Sequence, residues 1–328
     1  MRYRTIGQNP DHRREVSVLS LGAMLFGTAT DEPTAFAILD RYAEAGGTFI
    51  DTSDNYAYWF TGGQGGESEK LLGRWRRSRG IGNEITIATK LGARPLAPGT
   101  GYLDNAEGLS ATMIRESAER SRERLGMDKL DLLYAHIEDP SVAVEETVEG
   151  FAHLVAEGTV GLLGVSNHWT WKVERARTVA AAAGLPGYEV LQYQHSYLRP
   201  RTDRPGDMSP DGSQGVAGGD LLSYVRHDPG LTLVAYSPLL GGRYVREDKP
   251  LGPEFDHAGT LARKAALRAV AQEAGATVNQ VVLAWLIGGE TPVVPLVGAS
   301  SVAQLDESLA AVDLELTADQ RTRLDAAY

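Results

Sequence analysis

Cysteine is absent from the 328 residues, which removes disulfide scaffolds, thiolate zinc sites, iron–sulfur clusters and cysteine nucleophiles together. Histidine is sparse: none of the 7 stands as His-x-His or in another metal-ligand spacing, so no catalytic metal is expected. Basic charge is in deficit. With 32 Lys and Arg against 43 Asp and Glu, the net charge of −11 argues against a nucleic acid or an anionic membrane as the main partner. Any anionic ligand must therefore find a local basic pocket. Long apolar runs are missing too, the longest being residues 281–287, far below the ~20 residues that span a bilayer. The first ten residues lack the apolar stretch of a signal peptide, and a cytoplasmic protein is the expectation. Phosphate-loop and Gly-x-Gly-x-x-Gly patterns are also missing, so a nucleotide would have to bind without a Rossmann fold.

What is present is ordinary core material, 42% hydrophobic, arranged in a repeating order. Short β-rich runs occur at residues 18–21, 48–50, 84–89, 130–135, 160–165, 188–191, 231–235 and 292–296. Amphipathic stretches of helical length lie between them, at 33–45, 111–125, 144–156, 171–183, 261–274 and 302–311. Eight alternating units without a linker predict an α/β fold, a single (β/α)8 TIM barrel domain over residues 1–328. Residues 2–17 precede the first barrel strand and are expected to form a hairpin closing the barrel bottom. An extra C-terminal helix should begin at Thr317, where Thr-Ala-Asp-Gln has the capping-box spacing. Three long polar loops, 56–66, 91–109 and 195–219, follow strands and so fall on the face where barrel active sites are built.

The strand ends carry the chemistry. The second run ends on Asp51, the third on Lys90, the fourth on His136, the fifth on Ser166 and Asn167, the sixth on Gln192 and the seventh on Tyr236 and Ser237. One polar strand end is ordinary solvation; six that converge on one mouth, with an acid, a base and an imidazole among them, indicate a site. A glycosidase barrel would need two carboxylates across the cleft. The seventh strand offers none before Glu247, and Glu138 and Asp139 read as a loop and helix start. Taken singly, each residue has a plainer reading: Asp51 and Lys90 as a salt bridge, His136 as a strand-end imidazole, Ser166 and Asn167 as a helix N-cap, Tyr236 as core packing.

Six motifs in order resemble the aldo-keto reductases over nearly the whole chain. They are residues 49–56 (Phe-Ile-Asp-Thr-Ser-Asp-Asn-Tyr), 88–90 with His136, 164–167 (Gly-Val-Ser-Asn), Gln192, 236–239 (Tyr-Ser-Pro-Leu), and 298–301 (Gly-Ala-Ser-Ser) with Gln304 and Glu307. The pattern is most similar to the branch containing potassium-channel β subunits and related bacterial reductases. The resemblance implies a catalytic tetrad of Asp51, Tyr56, Lys90 and His136, with Tyr56 as proton donor, and reduction of aldehydes or ketones to alcohols by hydride from NADP(H). The logic of the set is that carbonyl reduction builds negative charge on oxygen, so a proton donor and polarising groups must converge there. Lys90 is expected to favour the phenolate and lower the phenol's pKa, Asp51 to fix Lys90, and His136 to orient the carbonyl.

It further implies that Ser166, Asn167 and Gln192 hold the nicotinamide carboxamide and that Tyr236 stacks on the ring. Ser237, Pro238, Leu239, Gly241 and Arg243 would line the pyrophosphate. Gly298, Ser300, Gln304, Glu307 and Ser308 would meet the adenosine end, although Gln304 also has capping-box spacing from Ser301. Met24 and Asp51 complete the expected cofactor contacts. Trp59, Phe60 and Trp169 are the candidate substrate walls. Two departures stand out: Ser308 replaces the usual Asn, and no Lys or Arg lies in 298–304 to grip a 2′-phosphate, leaving Arg243, Arg263 or Lys264 for that task. The channel subunits lack the tetrad His. Its presence here as His136 favours a working enzyme over the alternative, a cofactor-loaded redox sensor of low turnover.

Overall fold

The computed structural model describes residues 1–60, 63–97, 105–203, 209, 211–291 and 293–328. Pro292 and parts of the three long loops lie outside the described residues. Two antiparallel strands, β1 (Tyr3–Ile6) and β2 (Arg14–Ser17), form the N-terminal hairpin, with Tyr3 opposite Ser17. The barrel strands follow as β3 (Ser20–Gly22), β4 (Phe49–Asp51), β5 (Thr86–Leu91), β6 (Leu130–Ala135), β7 (Val160–Ser166), β8 (Val190–Gln194), β9 (Thr232–Tyr236) and β10 (Val293–Gly298). All pair in parallel and close in the order β10-β3-β4-β5-β6-β7-β8-β9.

The helices are α1 (Glu32–Glu44), α2 (Glu67–Arg79), α3 (Ala111–Leu125), α4 (Val144–Ala156), α5 (Thr170–Ala182), α6 (Gly219–His227), α7 (Ala258–Ala274), α8 (Val278–Ile287), α9 (Val302–Ala310) and α10 (Ala318–Asp325). The Thr317 capping box is present at the start of α10. A second one, Thr277 with Gln280, opens α8, the helix that contains the longest apolar run. Among the described residues no helix is long and apolar enough to cross a membrane.

Strand periodicity explains where the polar residues go. Successive side chains alternate between the lumen and the helix layer, so each strand writes two lists. Phe49, Ala88, Leu132, Tyr134, Leu162, Val190, Val234, Val294 and Leu296 fill the lumen in one cluster, and Ile6 and Val16 of the hairpin plug its bottom. Ile50, Ile87, Leu91, Leu133, Val165, Leu191 and Ala235 belong instead to the outer core against the helices. Two residues beyond a lumen residue is again the lumen. Asp51 follows Phe49, Lys90 follows Ala88, His136 follows Tyr134, Ser166 follows Gly164, and Gln192 follows Val190.

Seven of the eight barrel strands end one to three residues beyond the apolar runs in the sequence. Backbone ladder bonds do not require an apolar side chain, so the strand continues into the polar mouth residues that hydrophobic pattern leaves out. Gly164 leaves room for the Tyr134 ring: a Cβ there would lie 2.4 Å from it. Gly47 plays the same part for Tyr42, whose ring would be 2.4 Å from an added Cβ.

Tyr42, fully buried on α1, ties the barrel bottom together. Its hydroxyl lies 2.6 Å from Leu19 O, 2.9 Å from Phe49 O and 2.8 Å from Ser17 Oγ. Replacing it with Phe keeps the ring and strands those partners. Tyr42→Phe should cost about 1–3 kcal/mol in urea unfolding, with little change in the denaturant slope; an unchanged midpoint would show that other groups satisfy the site.

Burial also makes the fold acid-sensitive. His195 is nine-tenths buried beside Trp285, and desolvation, with Arg199 and Arg263 nearby, lowers its pKa from 6.5 to about 4. The unfolded chain therefore binds a proton that the folded chain refuses between those two values, so stability falls as pH drops through that window. At ~1.36 kcal/mol per pKa unit the loss approaches ~3 kcal/mol near pH 4. Melting temperatures from pH 7 to 4 should drop less steeply in His195→Phe than in the parent, and parallel curves would refute the assignment.

Candidate functional site

Lys90 and Asp51 meet at the top of the lumen. Both are buried, and Lys90 Nζ forms an ion pair with Asp51 Oδ1 and donates to Thr52 O at 2.8 Å. Gln192 Nε2 donates to the other carboxylate oxygen at 2.7 Å, so three strands hold one acid. Lys90 Nζ also lies 3.1 Å from Tyr56 Oη and 4.8 Å from the centre of its ring. Tyr56 itself stands edge-on to His136 at 5.9 Å and to Trp59 at 6.0 Å. The four residues expected to act together are thus one contact chain.

Burial sets their protonation. Desolvation pushes the Tyr56 phenol well above its ordinary value, with Asp51 and Asp54 adding to the push. The expected lowering by Lys90 is therefore not the net outcome: the ammonium opposes a larger desolvation cost, and the phenol is held protonated. His136 moves the other way. Desolvation, reinforced by the Lys90 charge, lowers its pKa well below the usual value, so the imidazole is neutral. Burial raises the Asp51 carboxyl against the pull of Lys90 and Gln192.

The next ring of residues holds these four in place. Ser53 Oγ donates to Asn55 Oδ1 at 2.8 Å and lies 3.1 Å from His136 Nδ1, and sequence reasoning passed over it although it stands inside the first motif. Asn167 Nδ2 donates to His136 O at 3.0 Å, while its Oδ1 accepts from Tyr236 Oη at 3.0 Å. Gln214 Nε2 donates to Asn167 O at 3.0 Å from a loop remote in sequence. Ser166 Oγ donates to Gln192 O at 2.8 Å. The helix-cap reading of Ser166 and Asn167 fails, because the N-cap of α5 is Trp169.

These groups floor a cavity of about 1200 Å³, larger than the roughly 300–1,000 Å³ of most small-molecule sites. Its walls run from Met24, Tyr58 and Trp59, past Tyr236, Ser237, Pro238, Leu239 and Gly241, to Gly298, Ser300, Gln304, Glu307 and Ser308. Asn167 and Ser237 both carry positive φ, 59° and 51°. Strained backbone that survives in non-glycine residues clusters at ligand sites, and here both residues line the cavity.

Several expected residues are placed elsewhere. Phe60, Trp169 and Arg243 are not among the described residues lining the cavity. The Arg243 guanidinium turns back to Leu240 O, at 3.2 Å. Arg263 is buried against the Tyr197 ring and donates to Tyr197 O at 3.1 Å. Lys264, on the same helix, does not line the cavity either. Arg246 and Lys249, which the sequence reading did not single out, do line it. Gln304 lines the cavity but forms only half of the capping box expected of it: Ser301 Oγ accepts from Gln304 N at 3.3 Å, while Gln304 Oε1 accepts from Ser300 N at 2.9 Å rather than from the Ser301 amide. Ser308 Oγ is spent on Gln304 O at 3.2 Å, and Glu307 Oε1 accepts from Thr277 Oγ1 at 2.7 Å. Among the described residues no group of three or more His, Asp or Glu could hold a metal ion.

The comparisons agree with this geometry. The Aldo/keto reductase family model matches residues 18–328. A norsolorinic acid reductase of Emericella nidulans is 31% identical over 93% of this chain and 76% of its own length. An uncharacterized oxidoreductase of Bacillus subtilis, YrpG, is 30% identical over 92% of this chain and 89% of its own. The crystal structure of a thermostable aldo-keto reductase, Tm1743, bound to the inhibitor epalrestat, superposes with a TM-score of 0.74 at 25% identity, covering 100% of both chains. The chain belongs to the aldo/keto reductase family and is an oxidoreductase of that family.

Proposed function

We propose that the protein reduces aldehyde or ketone carbonyls to alcohols with NADP(H), the whole chain acting as one domain. The observation that carries this reading is the Tyr56 hydroxyl, 3.1 Å from the Lys90 ammonium and beside a neutral His136 on the cavity floor. The cavity suits a dinucleotide: it has room for one together with a substrate, and a Cβ added at Gly298 would meet nothing within 4 Å, so that end is open backbone. Ser166, Asn167 and Gln192 lie at the floor to hold the nicotinamide, with Tyr236 to stack on it. The turn from Ser237 to Gly241 would take the pyrophosphate, and Gly298 to Ser308 the adenosine. When bound, NADP(H) supplies the hydride.

Tyr56 gives its proton to the carbonyl oxygen as charge builds there, and the Lys90 ammonium stabilises the phenolate left behind. Asp51, fastened by Gln192, keeps Lys90 aimed at the phenol. The role of His136 depends on its tautomer. The one proton of the Ser53 hydroxyl goes to Asn55 Oδ1 at 2.8 Å, so the Ser53 oxygen accepts from His136 Nδ1–H at 3.1 Å and the neutral ring carries its lone pair on Nε2. The mouth is apolar, with Met24, Trp59 and Val245 all exposed there, and suits a carbonyl carried on a hydrophobic body. The similarity to a norsolorinic acid reductase supports the same substrate character.

Tyr56→Phe should lower kcat by about 10²-fold or more while the Kd for NADPH, read by tryptophan fluorescence, stays within about threefold. Turnover near that of the parent would remove Tyr56 from the mechanism. A second expectation concerns pH. Alcohol oxidation needs the phenolate, so its rate should climb with pH up to at least 10, and Lys90→Met should push that climb to higher pH because a cation favouring the phenolate is gone. A profile unchanged in both rate and position would make Lys90 structural.

A further inference from the structure

Asn167 follows directly on β7 with a φ of 59°, a conformation that a residue with a side chain keeps where its surroundings hold it. Three contacts do so. Its Nδ2 donates to His136 O at 3.0 Å, its Oδ1 accepts from Tyr236 Oη at 3.0 Å, and its backbone O accepts from Gln214 Nε2 at 3.0 Å. The first two partners stand at the ends of β6 and β9. Gln214 comes instead from the long loop after β8. Beyond these contacts the Asn167 amide keeps one Nδ2 proton and one Oδ1 lone pair, the donor and acceptor that a primary carboxamide needs opposite it.

Residues 212–217 bring that loop back to the barrel. Gln194 N, at the end of β8, donates to Gly215 O at 2.8 Å, and Ala217 N donates to Gln194 O at 2.9 Å, so the segment runs as a short parallel bridge beside the strand. Gly215 O also lies 3.4 Å from Tyr236 Oη. Trp169, expected as a substrate wall, meets the same segment: its Cη2 is 3.7 Å from where a Cβ on Gly212 would stand. One short stretch of chain therefore touches two of the residues assigned to the nicotinamide, Asn167 and Tyr236, without itself lining the cavity.

We propose that Gln214 is a positioning residue: by holding Asn167 O it fixes the left-handed turn from which the Asn167 amide meets the nicotinamide carboxamide. This rests on the NADP(H) reading above and adds to it a residue that stands off the cavity. Turning the Asn167 backbone out of the left-handed region would swing its side chain away from His136 O and Tyr236 Oη, so the Gln214 donor controls an orientation, and through it the placing of the reactive ring.

Gln214→Met keeps the length of the side chain and removes its donor. Gln214→Glu keeps the shape as well and sets a carboxylate against the Asn167 carbonyl. In calorimetric titrations of the full chain the Met variant should weaken NADPH about 5-fold, the Glu variant more, with kcat on an active aldehyde falling in the same order. By contrast 2′,5′-ADP, which carries the adenosine end without the nicotinamide, should bind both variants within about twofold of the parent. Gln214 is only half-buried, so both variants should melt within about 3 °C of the parent. Equal weakening of NADPH and 2′,5′-ADP, or melting far below the parent, would make Gln214 a general prop of its loop and overturn the proposal. Parent-like NADPH affinity in the Met variant would overturn it too, leaving the cofactor reading in place. Failure of the parent itself to bind NADPH would overturn that reading, and this inference with it.

Discussion

The buried pair of Lys90 and Asp51 is the constraint around which the upper half of the barrel is arranged. Moving two charges out of water costs several kcal/mol each, and a pair of this kind rarely stabilises a fold beyond what apolar residues of equal size would. Here the cost is reduced by supplying nearly every hydrogen bond the pair can make: Thr52 O and Tyr56 Oη for the ammonium, Gln192 for the far carboxylate oxygen. The pair and its partners come from β4, β5, β8 and the loop after β4, so the barrel must close in one register for the charges to be met. The ion pair thus links the geometry of the whole lumen to the state of a single phenol.

The same low dielectric that makes the pair expensive also sorts protons. Tyr56 stays protonated and His136 stays neutral for one shared reason, burial, which always penalises the charged form. A positive charge held between a neutral acid and a neutral imidazole is an arrangement suited to negative charge that appears only during reaction. The strain at Asn167 and Ser237 fits alongside. Both residues follow directly on barrel strands and line the cavity, where strained backbone tends to be kept for binding.

Much of this was legible in the residue order. Alternation of β-rich and amphipathic segments specified a barrel, and the polar ends of the β-rich runs named Asp51, Lys90, His136 and Gln192 as residues of its mouth. What escaped were contacts that depend on loops returning from a distance. Ser53 against His136 and Gln214 against Asn167 are separated by 83 and 47 positions, and no local periodicity reports them. Phe60 and Trp169 show the converse error. An aromatic near a strand end was taken as a wall, but whether such a ring faces in or out is settled by the path of its loop.

The sequence by itself determined the architecture and the chemical types at the barrel mouth, because both follow from short-range rules: period-two burial along strands, helical spacing between them, and capping signals such as Thr317 with Gln320. Only the tertiary structure decided the charge state and the supply of cations. The direction of the Tyr56 pKa is the difference between desolvation and one ammonium, and the sequence carries the ammonium but not the desolvation. Arg243, Arg246 and Arg263 are identical as letters. One turns to its own backbone, one lies buried beside Tyr197, and one lines the cavity, because the orientation of a long flexible side chain is set by whichever neighbours the folded chain brings within its reach.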